Sequence, residues 1–160
     1  MSFFESIMEN QYLVVAFISW FIAQFIKVIH TFVKDKKFNV SRFVGAGGMP
    51  SSHSAFVMGL STCVGLENGW DSSVFAISIV FSLVVMYDAA GVRRAVGKQA
   101  IIVNKIIDDL QNNKKKSIKK NKKQVRDVLT EKRLKELVGH TPVEVFAGAL
   151  LGIIIANVIV

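Results

Sequence analysis

The sequence predicts an all-α fold: a polytopic membrane helical bundle of about four transmembrane helices plus a cytoplasmic amphipathic helix. Three observations carry this. Apolar residues make up 51% of the 160-residue chain, and its mean hydropathy is +0.41. Lys+Arg number 20 against 12 Asp+Glu, a net charge of +8, yet long uncharged apolar runs alternate with short basic ones. The cations also fall on only one set of connections between those runs.

These features exclude several classes. The apolar fraction is too high for a disordered chain. The segregation of apolar and basic residues argues against a soluble nucleic-acid-binding domain, despite a pI of about 9.8, so no nucleic-acid partner is expected. The single Cys63 excludes an internal disulfide framework and a Cys-based zinc site. No other metal site is expected, because Asp88 is the only carboxylate in its block and divalent-metal phosphotransfer needs several. No cofactor is expected. The length suits one domain, residues 1–160, with a basic cytoplasmic connection over 95–139.

The elements follow in order. The stretch before the first span carries Glu5 and Glu9 and no cation, unlike the basic start of a cleavable signal. The first span runs from about Tyr12 to Val33, roughly 33 Å as a helix and enough to cross a bilayer core. The second runs from about Ser51 to Leu66 and is short, so its polar start is expected below the membrane surface. The third runs from about Ser73 to Ala90 and the fourth from about Val143 to Val160. Between them, Lys98–Gln111 places Val103, Ile106, Ile107 and Leu110 on one helical face. This helix is expected either on the membrane plane or packed on the bundle. Asn112–Lys123 then carries seven Lys in twelve residues. The run reads as a solvated loop or as a contact for anionic lipid headgroups.

The charge map sets an orientation. No Lys or Arg lies before the first span, between the second and third, or at the C-terminus. By the positive-inside rule the basic side faces the cytoplasm, with both termini on the other side. The unusual polar residues then converge on that cytoplasmic face. Lys27 ends the first span, and Gly45–Ser54 opens the second. Asp88, Arg93 and Arg94 end the third, and His140–Glu144 opens the fourth.

This cluster suits an anion. Pro50 and Pro142, the only prolines, sit where helices should begin, and a helix start offers free N–H groups to phosphate. Arg93 and Arg94 offer bidentate contacts to phosphoryl oxygens. Two histidines at two helix starts can divide the roles of nucleophile and general acid. Structural alternatives stand beside each reading. Thr141-Pro142-Val143-Glu144 is also a capping box. Ser51 and Ser52 can simply cap a helix, and Lys27 can snorkel to the headgroups. Asp88 is expected to pair with Arg93, Arg94 or Lys27.

Pro50-Ser51-Ser52-His53 resembles the P-S-G-H motif of the type 2 phosphatidic acid phosphatase superfamily, which also holds the vanadium haloperoxidases. His140–Gly152 resembles that superfamily's third motif, His-x3-Asp followed by a small-residue helix. Together with Tyr87–Arg94, the blocks are similar to its small, divergent bacterial and plastid branch, and the resemblance spans nearly the whole chain. It implies a phosphohistidine mechanism without metal: His140 as nucleophile, Glu144 orienting its ring, and His53 protonating the leaving oxygen. Ser51 and Ser52 would belong to the phosphate-holding turn. The chain departs from the family pattern at three points. Glu144 replaces Asp. Leu134 stands where the family has Arg, six residues before the nucleophile. Lys27 and Lys34 keep only the spacing of the first motif. On topological grounds, Arg93 and Arg94 are expected to replace the missing Arg.

The implied function is a lipid-phosphate phosphatase acting at the cytoplasmic face, with phosphorylated membrane lipid as substrate and anionic headgroups nearby. The alternative is a catalytically inactive membrane protein that binds phosphorylated headgroups or scaffolds a partner. Vanadate-dependent oxidation has no sequence signal. Small residues in the last span, Gly148, Ala149 and Gly152, leave a homodimer open.

Overall fold

The computed structural model describes residues 3–35, 48–117, 134 and 139–160. Among these, six helices follow in order: α1 (Phe3–Met8), α2 (Gln11–Asp35), α3 (Ser52–Asn68), α4 (Ser73–Ala90), α5 (Val92–Ser117) and α6 (Pro142–Ile159). No strand occurs among the described residues. The four expected spans correspond to α2, α3, α4 and α6; the short α1 precedes them. Gly45 and Gly47, and the part of the basic run over 118–123, lie outside the described residues.

Local chemistry sets the helix ends. Ser51 caps α3 by accepting the Ser54 N–H, and Ser72 caps α4 by accepting the Phe75 N–H. Thr141 and Glu144 form a full capping box on α6, with Pro142 in its first turn. Gly91 breaks the chain between α4 and α5. Arg93 and Arg94 therefore do not end the third span, as the apolar pattern suggested. They lie in the first turn of α5.

Among the described residues, three stretches are long and apolar enough to cross a membrane: Gln11–Val33, a window within Ser73–Asp109, and Pro142–Ile159. The seventeen-residue α3 is the hub, packed against α2, α4 and α6. Its most extensive contact, with α6, is made by small residues. A Cβ on Gly148 would strike the Ser51 backbone, and one on Gly152 would strike Ala55 and Gly59. Small residues four apart on both helices let the backbones approach, the usual basis of helix association in lipid. Gly148 and Gly152, which the sequence offered to a dimer, thus face α3.

The bundle is inverted relative to a water-soluble one. Its buried polar residues include Ser19, Ser54, Ser61, Thr62 and Ser82, while Phe21, Ile77, Val84, Phe146 and Ile154 point outward. Ser61 and Ser82 are hydrogen-bonded across α3 and α4 at 2.6 Å, and Ser82 also donates to the Val57 carbonyl at 2.9 Å. An apolar exterior over a small, hydrogen-bonded interior is what lipid requires. The protein is a membrane helical bundle. On α5, Ala100 and Asn104 are buried, whereas Ile102, Val103 and Ile106 are exposed. Val103 and Ile106 of the apolar stripe are therefore not covered by the bundle.

Candidate functional site

The starts of α3 and α6 are joined by backbone. The Ser51 N–H donates to the Glu144 carbonyl at 2.9 Å, and the His140 N–H donates to the Ala89 carbonyl at 2.9 Å. The second bond satisfies a carbonyl that the end of α4 leaves without a helical partner. Gly139, at φ +91, makes the turn into His140 and lies so close to the Arg93–Arg94 backbone that no side chain fits there. Three helix ends thus fix one histidine.

His140 is 2% exposed, and its Nδ1 lies 3.0 Å from Glu144 Oε2. Glu144 Oε2 also accepts the Thr141 N–H at 3.1 Å. The capping and orienting roles weighed for Glu144 are therefore held by one oxygen. A carboxylate on Nδ1 fixes the tautomer with the proton on that nitrogen, leaving the lone pair on Nε2. Nε2 is buried, and no group meets it in good hydrogen-bond geometry, although the Gly48 backbone lies close enough to act on the ring. The opposing ring is that of His53, 6.1 Å away between centroids and inclined at 63°. Its Nδ1 is likewise buried and without a partner. Two imidazole nitrogens left idle inside one cluster is an unusual arrangement, since buried polar atoms are nearly always bonded. Both are shielded from solvent, so a phosphoryl group enters only if the surrounding side chains part.

Burial pushes the His140 imidazole below its ordinary range. The hydrogen bond to Glu144 and the Gly48 backbone oppose that shift, and the nearby Lys27 charge adds to it. Above that lowered range the ring is neutral.

Lys27 supplies the positive charge. It is 2% exposed, its Nζ donates to Ser52 Oγ at 3.4 Å, and its stem lies against Gly48. Gly48, at φ +88, brings the chain before Pro50 close to that stem without a side chain between them. Glu144 acts on the ammonium from a distance, but no carboxylate is in ion-pair contact with Lys27 among the described residues. A buried ammonium in this condition favours an incoming anion.

The remaining expected residues lie at the rim or in supporting roles. Ser51 Oγ accepts the Ser54 N–H at 3.3 Å and the Ser54 hydroxyl at 3.0 Å, so it serves α3 as its cap. Asp88 pairs with Arg93, Nε to Oδ2 at 2.6 Å, with both side chains well exposed. Arg94 is half-buried. Leu134, at the place of the family Arg, is held by its backbone. It accepts from Asn104 Nδ2 at 3.0 Å and donates to Asn104 Oδ1 at 3.2 Å. Sequence reasoning missed this clamp, and its signal was one buried amide on an otherwise apolar and basic helix. It also missed the Ala89 carbonyl, which no side-chain pattern reveals. No group of three or more His, Cys, Asp or Glu able to hold a metal ion occurs among the described residues.

Comparison with known proteins adds three findings. The family model described as "Divergent PAP2 family" matches residues 8–155. The "Uncharacterized membrane protein YuiD" of Bacillus subtilis (strain 168) is 46% identical over 139 residues, covering 86% of this chain and 85% of the relative. No solved structure matches the chain.

Proposed function

The chain belongs to the Divergent PAP2 family, and from that premise we propose that it is a membrane lipid-phosphate phosphatase working through a phosphohistidine on His140. The observation that carries this reading is the state of His140: Nδ1 held by Glu144, Nε2 buried and idle opposite His53. In the proposed reaction Nε2 attacks phosphorus and the ester P–O bond breaks. His53 gives a proton to the departing lipid oxygen. Water then attacks the phosphohistidine, His53 takes its proton, and inorganic phosphate leaves. Lys27, the Ser52 hydroxyl and the free N–H groups of the first turn of α3 hold the phosphoryl oxygens. The family resemblance implies that no metal takes part.

The substrate is a phosphomonoester lipid such as phosphatidic acid or phosphatidylglycerol phosphate, met at the cytoplasmic leaflet. The placement of all 20 cations at the ends of the first and third spans or in the connections that follow them supports that orientation. Labelling a Ser117→Cys variant from outside intact cells would reverse it. A non-catalytic headgroup binder would use Lys27 and the α3 start equally well, but would have no use for the His140–Glu144 bond. Phosphate release by the purified protein in chelator, across a panel of lipid phosphates, separates the two. Turnover that disappears in His140→Ala supports the enzyme, and saturable binding without release supports the binder.

A further inference from the structure

We infer that the cavity between α2, α3 and α4 seats one acyl chain of a phosphomonoester lipid, with the ester oxygen of its headgroup directed to His53. This rests on the proposed phosphatase reading and adds where the lipid tail lies.

The cavity measures about 380 Å³, and its walls are Phe17, Trp20, Phe56, Val57, Phe81 and Val85. His53 is the one ionisable side chain in its lining. That residue also faces His140 across 6.1 Å, so the apolar slot and the polar cluster share a wall. Phe56 and Val57 lie one helical turn from His53, and Val85 and Phe81 lie one and two turns before Asp88. The slot therefore runs from His53 along the helices into the depth of the bundle. Phe17 meets Phe56 edge to face at 5.4 Å and 76°, giving a firm aromatic side. Phe17, Trp20 and Phe81 are substantially exposed, so the slot opens sideways through the apolar surface that faces lipid.

Size selects the occupant. A helix of 10 Å diameter fills roughly 400 Å³ per turn, so a second chain would reach into the slot with side chains and not seat a helix there. With a methylene taken as about the size of a water, roughly 30 Å³, the slot holds on the order of a dozen methylenes of a single tail. An apolar chain leaving lipid for protein gains nothing from escaping water. The slot therefore selects by shape and aligns the headgroup with the histidines, rather than supplying affinity.

The test uses the full-length protein in phosphatidylcholine vesicles doped with phosphatidic acid that carries a diazirine on its acyl chain. After photolysis, labelled positions are mapped by mass spectrometry in the wild type and in His140→Ala, which cannot turn the probe over. The expected labels fall on Phe56, Phe81 and Val85. They should be several-fold weaker with an equally tailed diazirine phosphatidylcholine. Val85→Trp, which fills the slot, should cut the labelling at least tenfold, whereas Ile154→Trp on the exposed face of α6 should not change it. Labels scattered over the outer faces of α4 and α6 and indifferent to Val85→Trp would overturn the assignment. So would a disulfide-linked dimer formed by Val85→Cys, which would place a second copy there. The wild-type map decides the matter even if Val85→Trp fails to fold. Slot labelling without phosphate release from any lipid phosphate would retire the phosphatase reading alone, and release with scattered labelling would retire the slot alone.

Discussion

Nδ1 of His140 stands 3.0 Å from Oε2 of Glu144, and that oxygen also accepts the Thr141 N–H at 3.1 Å. One carboxylate closes the first turn of α6 and orients the ring that the turn presents. The two roles are separable. Glu144→Gln keeps an acceptor for the cap but removes the charge that stabilises an imidazolium. Glu144→Ala removes both. The Gln variant should lose roughly 10²–10³-fold in kcat, within the usual range for a group supporting acid–base chemistry, with little change in thermal stability. The Ala variant should lose a further 0.5–1.5 kcal/mol or so of stability, the usual net worth of the one hydrogen bond it removes from the Thr141 N–H. Parallel turnover and thermal-melt measurements check this. A Gln variant with full turnover would leave Glu144 as a cap only.

The pH dependence has a definite sign. Burial lowers the His140 pKa below 6.5, and Glu144 acts to raise it. Nε2 is thus free above the lowered value, and kcat/KM should fall as pH drops through it. In Glu144→Gln the raising influence is gone, so the acidic limb should move to still lower pH. The substrate's own ionisation near 6 or so is common to both proteins and drops out of the comparison. Stability follows the same sign. An unfolded imidazole binds protons first as pH falls below 6.5, so the contribution from His140 is present above that value and is lost below it. A limb that moves upward in Glu144→Gln would contradict the assignment.

Lys27 is a buried cation held by a serine hydroxyl. Lys27→Met has nearly the same length and no charge. A buried charge with no ion-pair partner carries a desolvation cost that an apolar side chain does not. The melting temperature should therefore hold or rise, while kcat/KM falls roughly 10–100-fold, the worth of a hydrogen bond to a charged group. A lower melting temperature with unchanged kcat/KM would make Lys27 a purely structural residue.

Gly148 packs on the Ser51 backbone, beside the strap from Ser51 N–H to the Glu144 carbonyl. Gly148→Ala forces the two helix starts apart. It should cost about 1–3 kcal/mol, as overpacking does, and should lower turnover as well, because His53 and His140 ride on those two starts. A variant with wild-type stability and turnover would show that the spacing of the starts is not critical.

Much of this was legible in the chain. Apolar runs separated by caps gave the spans, because lipid demands both. Topology then brought His53, His140 and Lys27 to one end. The Glu144 spacing of i+4 from His140 suits a helix start, and the structure uses it for both chemistries that were weighed. What stayed hidden depends on three-dimensional placement. Gly91 follows the end of α4 at Ala90, where the apolar run ends, and a second helix starts at once, so Arg93 enters α5 and turns to Asp88. The Ala89 carbonyl that holds His140, and the Asn104 amide that clamps Leu134, act on backbone atoms, which every residue carries. The slot beside His53 is assembled from phenylalanines and valines of three helices, and no spacing within any one of them marks it.

The most direct test is a search for the covalent intermediate. Purified protein in chelator is mixed with phosphatidic acid labelled in its phosphate and quenched within one turnover in alkali, where phosphohistidine survives. The digested peptides are then mapped. The account predicts acid-labile phosphate on His140 alone, absent from His140→Ala and reduced in His53→Ala. Phosphate released at the wild-type rate with no label on His140, or label unchanged in His140→Ala, would contradict it.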